Sequence, residues 1–448
     1  MRPVFIKTFG CKVNYTESVD AAAQLTRLGI PARELTGSSL PEDAQDCTIV
    51  VNSCCVTKEA ERKALQFVRR MGRNYPRARV LFTGCAARHD EIQQRFSDAG
   101  AEVLANYIDV IEAVKAGASD GAATGLTEYP ASGQAGAVFH SAPESSERAR
   151  AFIKVQDGCT CRCSYCIIPD VRPYYTRRLG AVLDDVQRFT AAGYNELVLT
   201  GINAGCYGRA PLENTPDYSH PDGPIDITGL IESVLAVLPA GVRLRLSSIE
   251  PLDVTDGLVD LLGHPRFCQH LHLPLQSGSD SVLSDMGRPY SARQYLDVVE
   301  RIRAAQPGAA VTTDILVGYP TETEDDFAAT LALCDSAGFE RIHGFPFSPR
   351  PGTPAAELKL LPGNEVRDRN RRLIEHCAGI ADARWSRYIG AAVDVLIEEQ
   401  RGDGHYIGHG PAYQVVRLSA ETPGIKPGGI YPLRLTGYAD GEFTGAPA

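Results

Sequence analysis

Four cysteines stand within eight residues at 159, 161, 163 and 166, in GCTCRCSYCIIP (158–169), directly after an apolar run that reads as a strand. Thiolates crowded this way select a soft metal or an iron–sulfur cluster. The alternative use of cysteine, a disulfide framework, belongs to small secreted chains. This chain has 448 residues, and its start, MRPVFIKTFGCKVN, carries no charged-then-apolar leader. A cytoplasmic location is therefore expected. No run approaches eighteen apolar residues, so no membrane helix is expected and no membrane partner.

Cys159, Cys163 and Cys166 form a C-x3-C-x2-C triplet. A structural zinc site takes four ligands, whereas a compact triplet without an obvious fourth leaves one coordination position open. An open iron on a cubane cluster can bind and reduce a cofactor. A zinc knob completed by a distant Cys or His is the plainer alternative. The run also contains Cys161, Cys163 and Cys166 as C-x-C-x2-C, and spacing alone does not choose between the two sets.

Around this loop the chain alternates short apolar runs with amphipathic stretches, the pattern of parallel sheets with helical crossovers. From 1 to 126, VFIKTF (4–9), CTIVVN (47–52), RVLFTG (79–84) and AEVLAN (101–106) predict strands of an α/β domain. Residues 127–149, rich in Gly, Pro and Ser, predict a linker. From 150 to 382, six strand candidates, AFIKVQD, ELVLTG, VRLRLSS, LHLPLQ, VTTDILVG and RIHGFPFS, predict a partial (β/α)6 barrel. Six units are too few for a closed eight-stranded one. The irregular stretch 206–225 is expected to be a long loop. Residues 383–448, with short β-like runs broken by Gly and Pro, predict a small β-barrel.

Outside the cluster loop, Cys11, Cys54 and Cys85 each end a predicted strand, in TFGC, VVNSC and LFTGC. Parallel strands bring such ends to one sheet edge. Three convergent thiols imply a second cluster with an open iron, and small core-filling cysteines are the alternative.

The triplet with Tyr165 before its third cysteine resembles the radical SAM superfamily. TFGCKVNYTES (8–18), NSCCVT (52–57), TGCAA (83–87), KVQDGC (154–159), LTGINAGCYG (199–208), LSSIEP (246–251), HLHLPLQSGSD (270–280), DILVGYPTETEDDF (314–327) and FSPRPGTPAA (347–356) resemble the methylthiotransferases, with a TRAM-like C-terminal barrel. That resemblance implies two [4Fe–4S] clusters. Cys159, Cys163 and Cys166 would hold the one that reduces S-adenosylmethionine to a 5′-deoxyadenosyl radical. Cys11, Cys54 and Cys85 would hold an auxiliary one for methylthio delivery. It also implies cofactor contacts at Tyr165, Thr200 and Gly201, with Ser248, Glu250, Gln276 and Ser277 as further cofactor or substrate contacts. A sulfur donor and an electron donor, neither identified, are implied as partners. Cys55 departs from the family pattern and is expected to be a small buried residue. Cys47, Cys206, Cys268, Cys334 and Cys377 are expected to pack.

GCKVN (10–14), KVQDGC and the LTG-x5-YG pattern are most similar to the subgroup acting on threonylcarbamoyladenosine in tRNA, beside the anticodon. Isopentenyladenosine in tRNA and a ribosomal-protein aspartate are the family's other substrates, and an RNA-binding protein with structural metals is the non-enzymatic alternative. The adenine C2–H bond is neither acidic nor electrophilic, which suits radical chemistry. The net charge is −10, so contact with the tRNA anticodon loop needs local basic patches. Arg69, Arg70 and Arg73 in the acid-free stretch 62–79, Arg177 and Arg178 after the cluster loop, and Arg369 and Arg372 are the candidates for phosphate. The terminal barrel is itself slightly acidic. Its Tyr406, Tyr413, Tyr431 and Tyr438 are expected either to stack on bases or to fill its core.

Overall fold

The structure, a computed structural model, describes residues 2–37, 39–41, 44, 46–118, 149–209 and 225–448. The predicted linker up to residue 148 and most of the predicted loop 206–225 lie outside the described residues.

The N-terminal unit runs β1 (Val4–Phe9), α1 (Lys12–Arg27), β2 (Ala32–Glu34), β3 (Thr48–Ser53), α2 (Lys58–Asn74), β4 (Arg79–Thr83), α3 (Asp90–Ser97), β5 (Glu102–Val103) and α4 (Tyr107–Ala118). Its strands form one parallel sheet in the order β2-β1-β3-β4-β5. β3 is buried on both faces, as a central strand between helix layers must be. The short β2 was not anticipated; two of its three side chains are exposed, so it carries no apolar alternation.

The central unit contains β6 (Arg150–Lys154), β7 (Gln156–Asp157), α5 (Ile168–Val171), β8 (Tyr175–Thr176), α6 (Leu179–Ala191), β9 (Glu196–Thr200), α7 (Ile227–Val237), β10 (Arg243–Leu246) and α8 (Asp256–Leu261). It continues through β11 (His270–His272), α9 (Asp280–Asp285), α10 (Ala292–Ala305), β12 (Ala310–Val317), α11 (Glu324–Ala337), β13 (Arg341–Pro346) and α12 (Gly363–Ser386). The parallel sheets β10-β9-β6 and β11-β12-β13, joined through a bridge from Leu244 to Phe267, make the expected open arc of six strands. Period-two alternation divides each strand. Leu197, Leu199, Leu271, Leu273, Val311 and Ile315 enter the apolar layer beneath the helices. His270 and His272 turn the other way, both to Thr312 Oγ1 at 2.8 and 2.9 Å.

The chain ends in a closed barrel of β14 (Ala392–Gln400), β15 (His405–His409), β16 (Val415–Ser419), β17 (Ile430–Ala439) and β18 (Glu442–Pro447). It docks on the strand starts of the arc. Arg243 donates to Asp394 O and His409 O, and Arg245 to Gly410 O and Pro411 O. Glu196, fully buried, pairs with Arg150, Arg243 and Arg245 at 3.0, 2.5 and 2.8 Å. Tyr413 lies under Arg245 and against His270, while Tyr406, Tyr431 and Tyr438 pack on the barrel's apolar core. The core-packing alternative thus holds for Tyr406, Tyr431 and Tyr438, whereas Tyr413 packs in the joint between barrel and arc. Among the described residues no helix is long and apolar enough to cross a membrane.

Candidate active site

Cys11, Cys54 and Cys85 directly follow β1, β3 and β4 or the residue after them, and the parallel register brings them to one edge. Cys54 N donates to Phe9 O at 2.8 Å. The Asn14 side-chain amide lies between the thiols: Cys11 donates to its oxygen at 3.3 Å, and its nitrogen reaches Cys85 Sγ at 3.7 Å and Asn52 Oδ1 at 2.9 Å. Arg172 Nε donates to Cys85 Sγ at 2.8 Å. Hydrogen bonds from Cys54 and Cys55, aided by Arg172 and opposed by burial, hold the Cys85 thiol well below its ordinary value. The Cys54 thiol is pushed up by hydrogen bonds to Cys11 and Cys85 and by burial. Cys55 is fully buried in the apolar core of the unit, as expected, although its thiol also bonds to Cys85.

The second cysteine loop leaves β7 through Gly158. Asn203 Nδ2 lies 3.8 Å from both Cys159 Sγ and Cys161 Sγ. Cys163 Sγ accepts from Arg288 Nη1 at 3.3 Å, and Arg288 also pairs with Glu250. Burial raises the Cys166 thiol to about 11, and a hydrogen bond to Cys159 together with burial raises that of Cys161. The two loops share one apolar wall. The core around Cys55 and Cys85 includes Ile167, Ile168 and Val171, and Cys159, Cys166 and Ile202 pack against it.

Among the described residues no three His, Cys, Asp or Glu side chains gather tightly enough for a single metal ion. A cubane offers a separate iron to each thiolate and takes a wider triad. The donor chemistry fits such a cluster at both loops: thiols at strand ends, each set with a buried arginine aimed at one sulfur. A cofactor beside the second loop fits too. The buried Asn203 Oδ1 and Ser247 Oγ have no hydrogen-bond partner among the described residues.

Of the remaining predicted contacts, Thr200 is buried at the end of β9. Gly201 closely approaches Gln156, whose Oε1 a Cβ would meet at 2.9 Å. Ser248 is half-buried. Gln276 has φ +69° and bridges to β12. Tyr165 packs against the apolar group around Met286 and Tyr319. Ser277 is buried, with its hydroxyl 3.4 Å from Thr330 Oγ1 and accepting from Ser279 N.

The arginines separate in the same way. Arg177 is corrected as a phosphate contact, being buried and paired with Asp185 at 2.6 Å. Arg369 is corrected likewise, enclosed by Glu322, Glu365 and Phe327. Arg372 is held by Glu324 at 2.6 Å, and Arg70 lies over the Phe67 ring. Arg69, Arg73 and Arg178 are exposed. Asn14, Arg172, Asn203 and Arg288 were missed. One signal near them is readable in sequence, a glycine directly before Cys11, Cys85 and Cys159.

A family model for the Radical SAM superfamily matches residues 153–334, and one for Uncharacterized protein family UPF0004 matches residues 3–104. The chain is 35% identical to the threonylcarbamoyladenosine tRNA methylthiotransferase MtaB of Thermotoga maritima, across 89% of this chain and 87% of that protein. The chain belongs to the radical SAM tRNA methylthiotransferases. To the tRNA-2-methylthio-N(6)-dimethylallyladenosine synthase of Anaeromyxobacter dehalogenans it is 33% identical, across 100% and 94%. Among solved structures, the radical S-adenosylmethionine methyltransferase TsrM from Kitasatospora setae shares the fold, with a TM-score of 0.57 and 15% identity across 79% of this chain and 74% of that one. As a methylthiotransferase, the chain is a sulfur-group-transferring enzyme that uses S-adenosylmethionine and two [4Fe–4S] clusters to modify tRNA.

Proposed function

We propose that this methylthiotransferase acts in the cytoplasm on N6-threonylcarbamoyladenosine at position 37 of the tRNA anticodon loop and places a methylthio group on adenine C2. In this reading residues 1–126 carry the auxiliary cluster on Cys11, Cys54 and Cys85. Residues 150–382 carry the radical-generating cluster on Cys159, Cys163 and Cys166, and 383–448 form the TRAM-like barrel. The bound clusters and S-adenosylmethionine supply radical and sulfur chemistry, fed by external electron and sulfur donors. The chain's own residues orient and enclose. Thr200, Gly201, Ser248, Glu250 and Gln276 line the strand ends beside the second loop, and Tyr165 with the shared apolar wall excludes water.

Lys12 carries the choice of nucleoside. It is half-buried at the start of α1 and forms no ion pair or hydrogen bond among the described residues. α1 lies against β6, with Tyr15 edge-on to Phe152 at 5.8 Å and Glu17 paired with Lys154 at 3.2 Å. Lys12, three positions before Tyr15, shares the face of α1 that meets β6. Against the opposing effect of burial, Lys12, Arg150 and Arg245 hold the Tyr413 hydroxyl below its ordinary value. Burial, with Arg341 and Lys12 among the nearby cations, lowers His343. A half-buried cation without a counter-ion supports an anionic ligand group. The threonylcarbamoyl side chain ends in a carboxylate, whereas the isopentenyl chain carries no charge.

Nucleoside analysis of tRNA from cells with and without the gene tests this reading. Loss of 2-methylthio-N6-threonylcarbamoyladenosine is the expected result. Loss of the isopentenyl analogue, or unchanged tRNA with an altered ribosomal-protein mass, contradicts it.

A further inference from the structure

Arg172 stands one residue beyond α5 and 87 positions from Cys85, yet its Nε–H donates to the Cys85 sulfur at 2.8 Å. Its side chain is 1% exposed. The rest of the guanidinium is held by two carboxylates: Nη1 reaches Asp157 at 2.6 Å and Glu17 at 2.8 Å, and Nη2 reaches Glu17 at 3.0 Å. Lys154 joins the same pair, 3.2 Å from Glu17 and 3.1 Å from Asp157. Lys154 and Arg172 thus both face Glu17 and Asp157. The contact from Nε to sulfur comes in addition to these carboxylate pairs, and a thiolate is the acceptor that makes it favourable.

The three sulfurs of this triad are not equivalent. Cys11 donates to Asn14, and Cys54 accepts from Val56 N at 3.3 Å. Only Cys85 is met by a cation among the described residues. On its far side the network ends at the second cysteine loop, because Asp157 Oδ1 accepts from Gly158 N at 2.8 Å, next to Cys159.

We propose that Arg172 is a positioning residue for the auxiliary cluster. Its Nε–H fixes the Cys85 thiolate as a ligand and raises the reduction potential of the cluster, while its terminal nitrogens tie that ligand through Asp157 to the loop of the radical-generating cluster. The potential rises because hydrogen bonds and positive charge at a ligand sulfur stabilise the more reduced, more negative cluster. This rests on Cys11, Cys54 and Cys85 being the auxiliary ligands.

The test uses full-length protein with Cys159→Ala, Cys163→Ala and Cys166→Ala, reconstituted anaerobically with iron and sulfide so that the auxiliary cluster alone remains. Redox titration followed by electron paramagnetic resonance compares this background with added Arg172→Lys and with added Glu17→Gln. Lysine keeps the buried charge but cannot hold both carboxylates and the sulfur at once; Glu17→Gln perturbs the network without touching Cys85. The expected result is a more negative midpoint and altered g-values in Arg172→Lys, or loss of its cluster, with Glu17→Gln close to the background. An unchanged midpoint and spectrum in Arg172→Lys, or equal effects of the two variants, would overturn the proposal by assigning the network to folding alone. If Arg172→Lys does not fold, the charge-balanced pair Arg172→Gln with Glu17→Gln replaces it, and the same outcomes decide. A background that binds no iron removes the ligand assignment itself and the proposal with it, an outcome distinct from an unmoved potential.

Discussion

The residues beside the thiols set where the thiols point. Gly84 has φ +99°, and a Cβ there would lie 2.5 Å from Ser53 O; Gly158 has φ +69°, and its Cβ would lie 2.5 Å from Pro173 O. Only glycine turns the chain this way at no steric cost, so each loop swings its cysteine back over the sheet edge. Cys159 and Cys161 stay close to one another and share Asn203. Family spacing places the ligand at Cys159, so Cys159→Ala is expected to abolish cleavage of S-adenosylmethionine and Cys161→Ala to preserve it. The reverse outcome, read as 5′-deoxyadenosine formed by reconstituted enzyme, moves the triplet by two residues. Cys11, Cys54 and Cys85 were legible in sequence because each ends an apolar run, and Cys159, Cys163 and Cys166 because they crowd into one loop. Their partners were not. Arg172 and Arg288 lie 87 and 125 positions from the sulfurs they meet, and no local pattern encodes a contact across such separations.

At the level of elements, strand ends carry the chemistry and strand starts carry the joint. The apolar runs placed all six strands of the arc to within a few residues, since each is a run of β-formers facing a helix layer. AEVLAN shrank to the two residues of β5, which pairs only through Glu102 and Val103 at the sheet edge. Docking of the terminal barrel was illegible because it runs through arginines on backbone carbonyls and through Glu196, which sits in an otherwise ordinary strand. Glu196 answers three arginines at zero exposure. Removing one partner of such a buried network leaves uncompensated charge and costs about 3–5 kcal/mol. Glu196→Ala is therefore expected to lower unfolding free energy by about that amount in denaturant melts. A change below about 1 kcal/mol would show that the joint does not depend on this carboxylate.

For the whole molecule, the net charge of −10 makes the placement of free cations decisive. A cavity of about 1010 Å³ between the N-terminal unit, the edge of the arc and the terminal barrel is lined by Glu34, Glu340, Glu398, Glu399 and Glu442 against Arg150, Arg341 and Arg401. No cysteine of either triad lines it, and its acidity repels phosphate. Arg69, Arg73 and Arg178 are the exposed candidates that form no ion pair among the described residues. Changing all three to Glu is expected to weaken tRNA binding and to reduce the slope of log K against log salt by roughly 2–3, measured by filter binding across a salt series. An unchanged slope would place the tRNA on another face.

The central claim is that two triads, one at the end of the N-terminal parallel sheet and one in the loop that leaves β7, each hold a cluster. Iron analysis of anaerobically reconstituted protein tests it most directly. About eight irons per chain are expected in the native protein and about four when either Cys11, Cys54 and Cys85 or Cys159, Cys163 and Cys166 are all changed to alanine. Bound zinc in place of iron, or an iron count that either triple change leaves untouched, would contradict it.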